Sequence, residues 1–175
     1  MHIGTKKAAS LLAFAVIILA VLSVAPIEEK KEEENLEEMK IEALGFDKMT
    51  DTPVVLLTDK KKETVLPIWI GLCEARSVEI GMSGVVPPRP LTYDLMAAML
   101  RTLNAEVTRI VITDLRDRVF YAQVVLSVNG KVSRIDARPS DALALASRMK
   151  SPIFVDKSVI KKAALTDSDA PKREL

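Results

Sequence analysis

The 175-residue sequence contains one histidine and one cysteine, and this scarcity excludes several kinds of site. The histidine is His2, at the extreme N-terminus and outside the domain that the sequence predicts. A domain without histidine cannot pair Ser or Cys with a His base, and it cannot bind zinc through an H-E-x-x-H helix. The single cysteine, Cys73, excludes an internal disulfide and a zinc site built from several cysteines. A hydrolase with this sequence must therefore work with carboxylates, and we expect it to use a metal bound by oxygen atoms.

Side-chain amides and net charge are also scarce. Only four residues of the chain are Asn or Gln, which together with abundant Glu and Lys hints at a hyperthermophilic source. The formal net charge of +1 averages over unlike regions, because Glu28–Lys40 carries −4 and Ile41–Leu165 about +4. A mildly basic domain with few aromatic residues does not predict extended contacts with nucleic acid.

The N-terminal 26 residues differ from the rest in hydropathy. Two lysines precede an 18-residue apolar run, Ala8–Ala25, that is interrupted only by Ser10 and Ser23. Because the run is short for a membrane span and long for a signal-peptide core, we expect an uncleaved single-pass anchor, with a cleaved signal peptide or a buried helix as alternatives. The short basic head favours a cytoplasmic N-terminus and an extracytoplasmic domain. A domain on the cytoplasmic face is the alternative.

The remaining sequence predicts one domain. We expect a charged linker over residues 27–40, the domain over residues 41–165 and a polar tail over residues 166–175. Periodicity predicts strands at Lys40–Phe46, Val54–Asp59, Thr64–Ile70, Glu106–Leu115, Val119–Val128, Lys131–Ala137 and Ile153–Val155. It predicts helices at Leu72–Met82, Tyr93–Leu103, Asp141–Met149 and Lys157–Ala164, with Thr92 and Ser140 as N-caps of the second and third. Strand pairs punctuated by helices predict an α+β fold with a mainly antiparallel sheet of short strands and hairpins and two to four helices.

The dipeptide Asn129-Gly130 is the strongest hairpin signal and allows the faces of its two strands to be assigned. A two-residue turn pairs Val128 with Lys131. One face then carries Phe120, Ala122, Val124, Leu126, Ile135 and Ala137. The opposite face carries Tyr121, Gln123, Val125, Arg134, Asp136 and Arg138. This second set predicts a polar site where the strand runs into a helix.

A similar motif occurs at two predicted helix starts. Arg89-Pro90-Leu91-Thr92-Tyr93-Asp94 and Arg138-Pro139-Ser140-Asp141 each combine an arginine, a proline, a hydroxyl residue and an aspartate. Helix N-termini attract anions, and an arginine adds a bidentate contact to phosphate. The residues that we expect to bind phosphate groups of nucleic acid are Arg89, Arg134, Arg138, Thr92 and Ser140.

Carboxylates near these helix starts are the candidate catalytic groups. We assign Asp136, Asp141 and Glu74 as candidate catalytic residues, and Asp136, Asp141 and Asp94 as candidate ligands of Mg²⁺ or Mn²⁺. A divalent ion that activates water beside phosphate-binding arginines needs no histidine. Structural explanations are also open, because a first-turn aspartate complements the helix dipole and Arg138 can form a structural ion pair with Asp136 or Asp141.

Four blocks of the sequence resemble the bifunctional nuclease domain family. They are Leu66–Gly71 followed by Glu74-Ala75, Arg89–Leu95, Phe120-Tyr121-Ala122, and Ile135–Ala146. The resemblance extends from about Ile41 to Ile160 and implies an α+β domain, a nuclease acting on RNA and DNA, and a homo-oligomer. The residues that match the family pattern are Glu74, Arg89, Thr92, Asp94, Asp136, Arg138, Ser140 and Asp141. The chain departs at Tyr93, where the family commonly has a histidine, so a base or ligand used by relatives would be missing here.

Two functional hypotheses follow. The first is a metal-dependent nuclease, tethered to a membrane by residues 8–25, that hydrolyses phosphodiester bonds of RNA or DNA. The second is a non-catalytic, membrane-anchored binding or assembly module whose Arg/Asp clusters are structural or bind a small anion. The complete block from Asp136 to Asp141 favours the first hypothesis, whereas Tyr93 and the anchor favour the second.

Overall fold

A computed structural model describes residues 34–168, which form seven strands and four helices. The strands are β1 (Leu36–Asp47), β2 (Thr52–Asp59), β3 (Val65–Trp69), β4 (Ala105–Arg116), β5 (Val119–Val128), β6 (Lys131–Ala137) and β7 (Ile153–Asp156). The helices are α1 (Leu72–Ser83), α2 (Thr92–Thr102), α3 (Pro139–Met149) and α4 (Lys157–Ser168). The predicted anchor over residues 1–26 lies outside the described residues, as do residues 27–33 of the predicted linker and 169–175 of the predicted tail. Within residues 34–168, none of the helices combines the length and apolar character needed to cross a bilayer.

The strands form one mixed sheet in the order β3-β2-β1-β7-β4-β5-β6. Two antiparallel groups of consecutive strands, β1–β3 and β4–β6, lie on either side of β7. Strand β7 pairs in parallel with β4, so that Ile153 lies opposite Ile110. The predicted α+β class and mainly antiparallel sheet are confirmed. The parallel pair adds a feature that the sequence analysis did not predict.

The β5–β6 hairpin has the predicted register. Val128 pairs with Lys131 across Asn129-Gly130, and both turn residues have positive φ, as a type I′ turn requires. On β5, Phe120 packs against the core, and Ala122, Val124 and Leu126 are buried in it. Ile135 lies on the same face but is 50% exposed, because β6 is the outermost strand on its side of the sheet.

The hydrophobic core combines side chains of the sheet with side chains of all four helices. Helix α3 contributes a run of buried small and aliphatic residues, Ala142–Ser147. Helix α1 crosses α3 at Gly81, where a β-carbon would overlap the Ser147 side chain. The missing side chain at Gly81 therefore allows the close contact that holds α1 against α3.

Some element boundaries differ from the predicted ones. Strand β1 begins at Leu36 rather than at Lys40, so the C-terminal end of the predicted linker is part of the sheet, and the compact unit begins at Glu37. The prediction that Thr92 and Ser140 are N-caps is wrong, because both lie within the first helical turn and the N-cap residues are Leu91 and Arg138. A proline is tolerated at the first helical position, where its missing N–H is not needed, so α3 begins before Ser140.

Candidate functional site

Four side chains from the N-terminal ends of three helices form one hydrogen-bonded cluster. Arg138 precedes α3 and donates from Nε to Asp141 Oδ2 at 2.7 Å. Its Nη2 donates to Asp141 Oδ1 and to Glu74 Oε1 of α1, both at 3.0 Å. The Tyr93 hydroxyl of α2 donates to Asp141 Oδ1 at 2.6 Å. One guanidinium therefore joins two carboxylates that the sequence analysis named as catalytic candidates.

The arginine of this cluster is exposed, whereas its carboxylate partners are partly buried. The exposed fraction is 68% for the Arg138 side chain, 31% for Asp141 and 19% for Glu74. Burial raises the pKa of the Asp141 carboxyl, but hydrogen bonds from Arg138 and Tyr93 lower it more, so the pKa lies below its usual value. The bond to Asp141, and then the bond to Glu74, raises the pKa of Arg138. Asp141 is thus ionised at neutral pH, and its charge is balanced by a guanidinium at the surface.

Tyr93 is the residue at which the sequence departs from the pattern that it otherwise resembles. Its side chain is buried, its hydroxyl bonds Asp141, and its ring centroid lies 5.8 Å from Arg148 Cζ. Burial, followed by the hydrogen bond to Asp141, raises the pKa of Tyr93 above its usual value. The phenol is therefore a hydrogen-bond donor at neutral pH and cannot act as a base. It can position Asp141 but cannot replace an imidazole in proton transfer.

A second ion pair, between Asp94 and Arg148, lies near the Tyr93 ring. Arg148 Nε donates to Asp94 Oδ1 at 2.7 Å, and Nη1 donates to the backbone oxygen of Ser77 on α1. Only 6% of the Arg148 side chain is exposed. Burial raises the pKa of Asp94, but the Leu91 N–H and Arg148 lower it more, so the net shift is downward. This pair ties α1, α2 and α3 together inside the protein.

The predicted metal ligands Asp94, Asp136 and Asp141 do not converge. Asp94 bonds Arg148, Asp136 is exposed on β6, and Asp141 bonds Arg138. In the part of the chain that the structure describes, no three His, Cys, Asp or Glu side chains lie close enough to hold a metal ion. The candidate carboxylates that do meet are Glu74 and Asp141, through their shared arginine.

A cavity of about 470 Å³ lies beside the cluster. Two of the predicted phosphate-binding residues, Arg138 and Ser140, line it. The other three are exposed elsewhere: Arg89 in the loop before α2, Thr92 at the start of α2, and Arg134 on β6. A volume of this size is typical of pockets for small ligands. Of the five predicted phosphate-binding residues, Arg138 and Ser140 therefore lie at the site and the other three do not.

Sequence reasoning missed two residues of this cavity, Trp69 and Arg118. Trp69 ends β3, and its Nε1 donates to Asp47 Oδ2 at 2.9 Å. Asp47 is fully buried and also accepts the backbone N–H groups of Met49 and Thr50. Trp69 lies within Leu66–Gly71, the first of the four blocks that resemble the family, and this block could have identified it. Arg118 lies in the β4–β5 turn, where no motif marked it.

Comparisons with known proteins show the family of the chain. Residues 55–168 match the sequence model described as the bifunctional nuclease domain. An uncharacterised protein found in two strains of Mycobacterium tuberculosis is 36% identical over 137 residues, which cover 78% of this chain and 82% of the relative. Bifunctional nuclease 1 of Arabidopsis thaliana is 31% identical over 107 residues, which cover 59% of this chain and 33% of the plant protein. Bifunctional nuclease 1 of Oryza sativa subsp. japonica is 25% identical over 109 residues, with 61% of this chain and 33% of the relative covered.

Proposed function

The chain belongs to the bifunctional nuclease domain family, and from this premise we propose that it is a metal-dependent nuclease that hydrolyses phosphodiester bonds of RNA or DNA. The plant relatives are named as nucleases, but the chain covers only about a third of their length, so their activity reaches this chain as a proposal. The observation that carries it is the meeting of Glu74, Arg138 and Asp141 beside a cavity large enough for a small ligand.

The pair of carboxylates suits a divalent ion. Oxygen atoms of Glu74 and Asp141 already converge on one cationic group, Arg138 Nη2. Mg²⁺ is commonly held by one or two carboxylates and keeps several water molecules, so two protein ligands are sufficient. When bound, Mg²⁺ or Mn²⁺ would supply an acidic water molecule and stabilise negative charge on the phosphate. Asp136 stays a further candidate ligand, whereas Asp94 is the weakest because it is bonded to buried Arg148.

The other residues of the cluster have separate tasks. Arg138 is exposed enough to leave its carboxylates and bind a phosphate oxygen, and Ser140 lies nearby in the lining of the cavity. Tyr93 fixes the orientation of Asp141 through the bond from its hydroxyl. No residue of the cluster is an imidazole, so Glu74 or Asp141 would accept the proton of the attacking water, and a bound divalent ion would make that water more acidic.

The test is cleavage by the purified full chain. RNA, single-stranded DNA and double-stranded DNA are incubated with Mg²⁺, Mn²⁺ or EDTA, and we expect cleavage with metal and none with EDTA. Asp141→Asn and Glu74→Gln should each lower the rate by about 100-fold while both variants stay folded at the assay temperature. Glu79→Gln, a carboxylate exposed on the same helix as Glu74 and bonded to Arg76, is the matched control and should be as active as the wild type. Cleavage that survives both site substitutions would identify a contaminating nuclease and refute the proposal.

We also propose that residues 8–25 attach the protein to a membrane, with the domain outside the cytoplasm. The support is the apolar character of this run, which only Ser10 and Ser23 interrupt, and the basic residues before it. Membrane fractionation followed by protease treatment of spheroplasts should recover the chain with membranes and degrade its domain. A chain that stays in the soluble fraction would contradict the attachment. A membrane-bound but protected domain would reverse the orientation.

One surface favours the second candidate function, an assembly module. Leu95 and Met99 on α2 and Leu103 at its end are spaced four residues apart and are 56%, 57% and 65% exposed. Three large apolar side chains on one helix face are costly in water, so we propose that this face binds a second copy of the chain in a symmetric dimer. Analytical ultracentrifugation should find a dimer, and Met99→Glu should convert it to a monomer. A wild-type monomer at high protein concentration would contradict the proposal.

A further inference from the structure

We propose that the cavity beside the cluster binds one unstacked nucleotide of a single-stranded nucleic acid, with its base against Trp69 and Phe120 and its phosphate on Arg118. The identity of the polymer rests on the proposed function, but the binding does not require cleavage. If the proposal is right, the enzyme selects single strands, or strands opened locally, over duplexes.

The cavity wall is chemically suited to a nucleotide. Its lining is mainly apolar and includes two aromatic residues and two arginines, with no carboxylate among the lining side chains. A nucleobase buries apolar surface and stacks on aromatic rings, while its phosphate requires positive charge. An apolar ligand would not balance the charges of Arg118 and Arg138. A small anion would not cover the aromatic side chains of the wall. A nucleotide matches both parts of the lining.

Trp69 is held in place before any ligand arrives. Its indole N–H is bonded to the carboxylate of Asp47, which is buried and fixed in turn by backbone N–H groups of the β1–β2 turn. A ring that is already oriented loses little conformational freedom when a base stacks on it. Phe120 is likewise packed against the core. Both aromatic residues of the wall are therefore preorganised.

Arg118 occupies an unusual backbone position. The β4–β5 turn has two residues in the left-handed region, Asp117 with φ 49° and Arg118 with φ 64°, where glycine or asparagine is preferred. Within residues 34–168, no hydrogen bond or ion pair engages the Arg118 guanidinium. Arg116 in the same turn is bonded to Asp114 and lies over the Tyr121 ring. The two-residue turn requires this conformation at both positions, and an arginine that no described side chain engages and that lines the cavity can bind an anionic ligand there.

The cavity and the carboxylate cluster share Arg138 and are continuous through it. A nucleotide held by Arg118 would thus present the next phosphate of its strand to Arg138, Glu74 and Asp141. A base that is stacked and paired within a duplex cannot enter such a cavity without leaving its helix. The same geometry that delivers the phosphodiester group therefore selects single strands.

Trp69 is the only tryptophan of the chain, so its fluorescence reports directly on the cavity. The full chain is titrated in EDTA, which prevents metal-dependent cleavage, with single-stranded RNA and DNA hexamers, the corresponding DNA duplex, and an abasic hexamer that retains the phosphates. We expect the single strands to quench Trp69 fluorescence and to bind about tenfold more tightly than the duplex or the abasic strand.

Three variants locate the binding. Arg118→Gln should raise the Kd of the single strand by about five- to tenfold and reduce the slope of log Kd against log salt by about one. Phe120→Leu retains apolar volume and should weaken binding of the intact strand but not of the abasic one. Arg101→Gln removes the same charge from the exposed end of α2, outside the lining of the cavity, and should change neither quantity.

Equal affinities for intact and abasic strands, or an unchanged Kd in Arg118→Gln, would overturn the proposal. Metal-dependent cleavage that Arg118→Gln leaves unchanged, without quenching of Trp69, would reject this binding site and leave the nuclease assignment in place. Quenching by single strands without cleavage under any metal condition would support the binding site and reject the nuclease assignment.

Discussion

The starts of α2 and α3 have similar sequences but different surroundings. Each has an arginine and a proline followed by an aspartate in the first turn. Asp94 of α2 bonds Arg148, an arginine from another helix whose side chain is 6% exposed. Asp141 of α3 bonds Arg138, the arginine of its own motif, which is 68% exposed. The first aspartate is part of an internal tie between helices, and the second borders solvent and a cavity.

The difference teaches that the burial of the arginine, rather than the motif, decides what each aspartate can do. A buried guanidinium cannot leave its carboxylate without exposing an uncompensated charge in the protein interior. An exposed guanidinium can exchange its carboxylate for a phosphate at little cost, because water solvates both groups. The α3 motif can therefore open to a ligand, whereas the α2 motif is expected to stay closed.

The largest expected effect is the loss of stability in Arg148→Met. Asp94 and the Ser77 backbone oxygen would lose buried donors, so the free energy of unfolding should fall by about 3 kcal/mol. Urea denaturation followed by circular dichroism measures it. The matched variant Arg138→Met removes an exposed arginine and should leave the urea midpoint close to that of the wild type. Equal losses in the two variants would break the comparison.

A smaller effect is expected for Tyr93→Phe. Tyr93 contacts both ion pairs, through its hydroxyl to Asp141 and through its ring to Arg148. The ring beneath Arg148 remains, but Asp141 loses the hydroxyl that orients it. If the proposed nuclease activity exists, its rate should fall by about tenfold, as is usual for a partner that positions a ligand. Tyr93→His restores a donor and should recover part of the rate. An active Tyr93→Phe would mean that Arg138 alone positions Asp141.

The dependence of stability on pH should distinguish the two aspartates further. Both have pKa values below those of an unfolded carboxyl, so each stabilises the fold above the unfolded value and loses this contribution as pH falls through the folded value. We expect the urea midpoint to decrease on acidification, and Asp94→Asn and Asp141→Asn each to reduce that decrease. Added salt should reduce the contribution of Asp141 to this decrease more than that of Asp94, because the arginine bonded to Asp141 is exposed to counterions. An equal response to salt in both variants would contradict the difference in burial.

The smallest effect is expected for Arg89→Gln. Arg89 is the counterpart of Arg138 in the α2 motif, but it is exposed and lies outside the lining of the cavity. Its substitution should change the cleavage rate by no more than about twofold, within the range of a surface charge that is screened by salt. A loss as large as that of Arg138→Gln would show that the α2 motif binds phosphate after all.

The parts of the fold that the sequence could predict depend on short-range signals. The Asn129-Gly130 turn determined the register of β5 and β6 because a two-residue loop leaves one pairing. The position of β7 could not be predicted in the same way, since its contact with β4 joins residues such as Ile153 and Ile110 that are far apart in the chain. The exposure of Ile135 also depended on the strand order rather than on its alternation.

The candidate site was predictable to a similar degree. Arg138 and Asp141 are three residues apart, and helix geometry alone indicates that they can meet. The bond between Tyr93 and Asp141 spans 48 residues, and that between Arg148 and Asp94 spans 54, so both depend on how the helices pack. The α2 and α3 motifs looked equivalent for this reason. No local motif marks Arg118. Its place in the lining of the cavity depends on where the β4–β5 turn lies in the folded domain.

The central position of β7 has a consequence for how the protein is made. Strands β1–β3 and β4–β6 can each form a meander as they are synthesised, but the strand that joins them comes last. Until residues 153–156 have left the ribosome, two half-sheets with unpaired edges coexist, and such edges are prone to pair with other chains. The nascent protein is therefore most prone to aggregate before β7 has left the ribosome, and a molecule that stops short of β7 cannot close its sheet.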